Sequence, residues 1–165
     1  MSDDRAIDSQ KPTLLFRLAQ AAFLFSARIT RGMTLGVRAM VLDSENRIFL
    51  VRHSYVAGWH MPGGGVEPGE TLEAALSKEL QEEGNIRLTG PVELLGIYLN
   101  RKASRRDHVA VYIIRHSEQT APKKPDHEIV EAAFFPLDQL PQGTTRATRR
   151  RIVEALQSAP QSLEW

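Results

Sequence analysis

The sequence predicts an α/β/α sandwich built on a mixed sheet, and three observations lead there. Helical and strand-like patterns alternate along the chain, the neighbouring strand-like runs suit antiparallel or mixed pairing better than parallel crossovers, and 165 residues are enough for one ordinary domain. An apolar fraction of 42% with 25% charged residues supports a packed core. Twenty-one Lys and Arg against twenty Asp and Glu leave a formal charge of +1, so no global field favours nucleic acid or an anionic membrane. With no cysteine, disulfides, thiolate zinc sites, iron–sulfur clusters and Cys nucleophiles are all excluded, and a cytoplasmic location is expected.

Residues 1–12 are polar, with Asp3, Asp4 and Asp8 where a signal peptide would carry basic residues. The apolar run from Leu14 to Ile29 is interrupted by Arg17, Gln20 and Arg28, so stable membrane insertion is not expected. Projection at about 100° per residue gathers Arg17, Gln20, Arg28 and Arg31 on one side, which predicts an extra N-terminal amphipathic helix. Its apolar side would dock on the domain or on a second copy, making a homodimer a candidate, or would lie on a lipid surface. The expected division is a tail and helix over 1–33 and the main domain over 34–165.

From Thr34, alternation of Leu35, Val37, Ala39 and Val41, a turn at 43–46 and the run Ile48 to Val51 predict a strand hairpin. Residues 54–69 carry Gly58, Gly63, Gly64, Gly65 and Gly69, so they form a shaped loop. Thr71 starts a helix to about Glu83, and Gly84 with Asn85 suits a left-handed C-terminal cap. Strands are expected at 91–100, 107–116 and about 129–135, and a last helix from Thr144 or Thr145 to about Gln157.

The helix at 71–83 is unusual. Leu72, Ala75, Leu76 and Leu80 define its apolar stripe, yet Glu79 and Glu83 fall within that stripe and Glu82 on its flank. A carboxylate taken out of water costs several kcal/mol unless compensated, and Lys78 is one charge against three. A bare E-x-x-E-E is often simply solvated. Beside a glycine loop, side chains about 5–6 Å apart at i, i+3 and i+4 can converge on one hard ion, and all-oxygen donors favour Mg²⁺ or Mn²⁺ over Zn²⁺. Gly64 to Thr71 has the spacing of a phosphate-cradling P-loop, but Glu70 stands where that loop has its lysine, which rules it out.

The stretch Gly64–Ile86 resembles the Nudix box, G-x5-E-x7-R-E-U-x-E-E-x-G-U, where U is aliphatic. Gly64, Glu70, Glu79, Leu80, Glu82, Glu83 and Ile86 are in register, seven of nine defined positions. Trp59-His60-Met61-Pro62-Gly63 resembles the usual approach to that box, and the family pattern extends over about 34–157. The resemblance implies a Nudix-type α/β/α sandwich and a pyrophosphohydrolase acting on a nucleoside diphosphate linked to another moiety, with Mg²⁺ or Mn²⁺. It implies Glu79, Glu82, Glu83 and the Gly64 carbonyl as metal ligands, Glu79 also as a general base, and Glu70 and Lys78 as their support. In some members the base comes from a later loop, where Glu128 and Glu131 stand and Glu128 is the better placed. Lys78 replaces the family arginine and loses its planar fork, which predicts a looser pairing with Glu70. Asn85 replaces a glycine and tolerates the left-handed turn. These departures motivate a second reading, a catalytically weak ligand-binding or regulatory module. A diphosphate isomerase of the same fold is disfavoured because no Cys is present.

Arg38 and Arg52, on the strands leading to the loop, are candidates to clamp the diphosphate. Arg101, Lys102, Arg105 and Arg106 form a basic loop whose default reading is solvated. Arg146, Arg149, Arg150 and Arg151 are expected on the wet face of the last helix rather than on nucleic acid. Tyr55, Trp59 and Tyr98 read as packing before base stacking. The five histidines show no metal-ligand spacing. The expected partner is a small nucleotide-type molecule, and residues 100–103 do not identify which.

Overall fold

The computed structural model describes residues 14, 18, 20, 22–26, 32–157 and 159–165. The chain divides into two compact units, residues 1–32 and 33–165. In the first unit the described residues 14, 18, 20 and 22–26 are helical, and Leu14, Leu18, Phe23, Leu24 and Phe25 are exposed. Arg17, Arg28 and Arg31, on which the amphipathic prediction rests, lie outside the described residues. No helix among the described residues is long and apolar enough to cross a membrane.

In the second unit, strands that alternate with period two bury both of their faces. On β1 (Thr34–Val41), β2 (Arg47–His53) and β5 (Asp107–Ile114), residues Val37, Ala39, Val41, Phe49, Val51, Ala110 and Ile114 enter one core. That core also contains Ala75, Leu76 and Leu80 of helix α1 (Leu72–Gly84). Met40, Ile48, Leu50, Val109, Val111 and Ile113 enter a second core with Ile152 of α2 (Arg146–Leu156). Strands therefore lie between two helical layers, the expected α/β/α sandwich with mixed pairing. β1 runs parallel to β5, which runs antiparallel to β4 (Glu93–Leu99). β2 pairs antiparallel with β7 (Ile129–Pro136). A short ladder joins β3 (Ile86–Leu88) to β6 (Ser117–Gln119).

The predicted hairpin of β1 and β2 is corrected. Their turn is where expected, with Asn46 at φ 56° and Asp43 Oδ1 accepting from the Arg47 N–H at 2.8 Å. Only a single bridge, Leu42 with Ile48, joins the two strands, which belong to different ladders. Both runs are apolar on both faces, and such strands take central positions between helices rather than pairing as a one-sided hairpin. The far edge of β1 is taken instead by the glycine segment. The Val37 N–H donates to the Gly64 carbonyl and the Ala39 N–H to the Pro62 carbonyl, both at 2.9 Å.

Helix α1 forms as its sequence dictates. The Thr71 hydroxyl accepts from the Ala74 N–H at 3.1 Å, and Asn85 closes the helix in the left-handed region at φ 52°. The wet-face expectation for the last helix fails at Arg151, which is wholly buried. Its guanidinium pairs with Glu154 at 2.7 Å and lies 3.8 Å from the Tyr98 ring centroid. The C-terminal segment closes over it: the Trp165 N–H donates to the Leu99 carbonyl, and Arg151 Nη1 donates to the Glu164 carbonyl at 3.3 Å.

Candidate active site

The α1 stripe turns Glu83 inward, where it is 4% exposed, while Glu79 is half-buried and Glu82 is open to solvent. Glu83 accepts from the Gly63 N–H at 2.8 Å. Burial nevertheless pushes its carboxyl up to about 7, against that hydrogen bond and the nearby Arg38. Glu79 is raised too, by burial first and then by the Glu82 charge.

The glycine loop is shaped around these carboxylates. Gly63 sits at φ 140°, and a β-carbon there would strike the Val37 carbonyl. A β-carbon on Gly64 would strike the Glu79 carboxylate itself. Gly64→Ala is therefore expected to displace Glu79 and lower turnover about ten- to a hundredfold with little change in unfolding midpoint. Steady-state kinetics beside a thermal melt checks this, and full activity would contradict it.

Glu128 joins from a distant loop. Glu79, Glu82, Glu83 and Glu128 line one cavity of about 270 Å³ with Lys123 and Asp126. Asp126, which sequence reasoning overlooked, holds that loop: its Oδ1 accepts from the Glu128 and Ile129 N–H groups at 2.9 and 2.7 Å, and its Oδ2 pairs with Lys123 at 2.6 Å. The Lys123 contact and these N–H bonds hold its carboxyl well below the usual range. The Tyr55 hydroxyl donates to Glu128 at 3.0 Å.

No spacing in the sequence marks His53 as a site residue. At the end of β2 it is 6% exposed, with Nε2 3.5 Å from Glu83 and neither ring nitrogen hydrogen-bonded. Burial, and then Arg38, holds its pKa below the ordinary histidine value. Ligand atoms of His53, Glu83 and Glu128 lie within 4.8 Å of one another. Thirty and forty-five residues separate the three, so no local spacing announces the group.

The two candidate clamp residues part ways. Arg38 donates to the Met61 carbonyl at 2.9 Å and acts electrostatically on Glu79 and Glu83, placing it at the site. Arg52 is engaged by Glu131 at 2.8 Å and lies over the Trp59 ring. Lys78 Nζ stands 3.8 Å from Glu70, the loose pairing expected of lysine. Trp59 and Tyr98 are buried and packed, as read from sequence, whereas Tyr55 is exposed beside Glu128. One buried carboxylate grouped with a half-buried and two exposed ones, an unpartnered imidazole and an approaching glycine backbone suit a hard dication and the oxygens of a phosphate.

A sequence model of the NUDIX domain matches residues 32–156. The ADP-ribose pyrophosphatase of Methanocaldococcus jannaschii is 30% identical over 105 residues, covering 62% of this chain and 62% of that protein. The 8-oxo-dGDP phosphatase NUDT18 of Mus musculus is 28% identical over 121 residues, covering 72% of this chain and 37% of the relative. The chain thus spans under two thirds of the length of either. Among solved structures, a MutT NUDIX hydrolase from Burkholderia pseudomallei superposes with a TM-score of 0.62 at 26% identity, over 72% of this chain and 95% of that one.

Proposed function

Because the chain belongs to the Nudix family, we propose that it hydrolyses the diphosphate linkage of a nucleoside diphosphate joined to another moiety, with Mg²⁺ or Mn²⁺ as cofactor. One observation carries this reading: the buried Glu83 carboxylate shares a cavity with Glu79, Glu82 and Glu128 and has no lysine or arginine paired to it among the described residues. The residues fit a dication by their chemistry, since the buried Glu83 carboxylate has no lysine or arginine paired to it among the described residues and both nitrogens of the buried His53 ring lack a hydrogen-bond partner. Glu79, Glu82, Glu83 and the Gly64 carbonyl would hold it. When bound, such an ion neutralises diphosphate charge and activates water.

The chain's own groups do the rest. Arg38 would hold a diphosphate oxygen, a reading supported by its contact with the Met61 carbonyl beside the glycine loop. Glu79, its basicity raised by burial, and Glu128, fixed by Tyr55, are the two candidates to take the proton from the attacking water. Glu70 and Lys78 steady the start of α1 and the Glu79 carboxylate. Lys78→Arg is expected to tighten the contact with Glu70 and raise kcat several-fold with KM little changed; an unchanged or lower kcat would contradict that role.

The deciding experiment offers the whole chain nucleotide sugars, ADP-ribose, dinucleoside polyphosphates and nucleoside triphosphates with Mg²⁺, beside the Glu82→Gln variant. Release of nucleotide or phosphate by the parent, reduced at least about tenfold in the variant, is expected. Turnover unchanged in the variant would defeat the metal assignment. Absence of turnover across the panel, with ligand binding retained, favours the weak binding module that Lys78 motivates.

A further inference from the structure

Two basic segments that read as solvated in the sequence meet at one place. A cavity of about 830 Å³ is walled by His60, Asn100, Lys102, Arg146, Arg150 and Trp165, among others. That volume is in the ~300–1,000 Å³ range of small-molecule sites. Lys102 comes from the turn after β4 and the two arginines from α2, and none has an ion-pair partner among the described residues. Glu164, the carboxylate in the wall, is already paired with Arg101 at 2.9 Å. Trp165 is held in place by its hydrogen bond to Leu99 and by Arg151, 5.7 Å from its ring centroid.

This cavity adjoins the carboxylates through two residues. His60 packs its ring edgewise against His53 at 5.9 Å, and His53 touches Glu83. Asn100 also lines the groove that contains Arg38 and Gly64. An acidic pocket therefore lies beside a basic one with an aromatic wall. Unpaired guanidinium donors bind phosphate directly, and an indole offers a face to a ring.

Resting on the reading of the chain as a diphosphate hydrolase, we propose that the cavity holds the part of the substrate remote from the cleaved linkage, and that this part carries a phosphate of its own. Lys102, Arg146 and Arg150 then select nucleotides with a second phosphate-bearing group over those that end in a neutral sugar.

Titration of the whole chain in EDTA isolates the cavity, because carboxylates without a dication repel phosphate. Adenosine 3′,5′-bisphosphate and AMP are the probes. The bisphosphate is expected to bind about tenfold tighter or more. Its advantage should fall to about twofold in the Arg146→Gln, Arg150→Gln double variant, whose substituted side chains are exposed, and should shrink as salt rises. A fluorescence change on binding that is lost in Trp165→Phe is also expected. Equal affinities for the two probes, or a preference that survives the double variant, overturn the proposal. If the preference holds while no nucleotide is cleaved with Mg²⁺, the hydrolase reading fails and the anion site stands. If cleavage is seen with equal affinities, the cavity assignment alone fails.

Discussion

In metal-free buffer at pH 8, Glu83→Gln is expected to unfold at a higher denaturant concentration than the parent, and with Mg²⁺ added it should show no dication uptake and at least about a hundredfold less turnover. The amide keeps an oxygen for the Gly63 N–H but carries no charge to bury. The sign follows from linkage. Folding raises the Glu83 pKa from 4.5 to about 7, so the folded state binds that proton more tightly than the unfolded chain. Its contribution is fully present below about 4.5, declines as pH rises towards about 7, and is flat above that. The difference is on the order of 3 kcal/mol. Urea midpoints in EDTA across this interval should fall further for the parent than for the variant, and Mg²⁺ should restore the parent alone. Parallel pH profiles would show that Glu83 does not carry the buried charge.

Arg151→Met should cost about 3–5 kcal/mol, the usual penalty for leaving one member of a buried ion pair behind. Glu154, 7% exposed, would keep only the Tyr98 hydroxyl at 3.2 Å and the Ser162 N–H at 3.1 Å. Adding Glu154→Leu should recover more than half of the loss, since an apolar pair fills the space without an orphaned charge. Chemical denaturation of the parent, both single variants and the double closes the cycle. Strictly additive losses would mean the pair is not coupled. Release of the C-terminal segment should accompany the single change and show as faster carboxypeptidase digestion.

What could be read in advance was local. Thr71, the Leu72–Leu80 stripe, the misplaced glutamates and Asn85 all lie within one helix and its caps, so spacing alone reports them. The pairing of β1 with β5 was not legible, because many apolar strands compete for the same edge and only the packed whole selects one. β3 and β6 span three residues each, too few for alternation to register. His53 and Asp126 matter through partners in other elements, which leave no mark on their own neighbourhoods. Arg151 did carry a signal, a glutamate three residues on, but that spacing is equally common on wet helix faces.

The bonds from Val37 and Ala39 to the glycine segment also govern how that segment behaves in time. The carbonyls of residues 62 and 64 are stitched to a core strand, so the Val37 and Ala39 amides that donate to them should exchange with solvent only when the sheet itself opens, not by independent fluctuation. The backbone nearest the carboxylates is thus ordered once, during folding, and an arriving ligand need not freeze it again. Among the described residues, the exposed 101–106 turn has no such tether to that segment, so its side chains can change without disturbing the backbone beside the carboxylates.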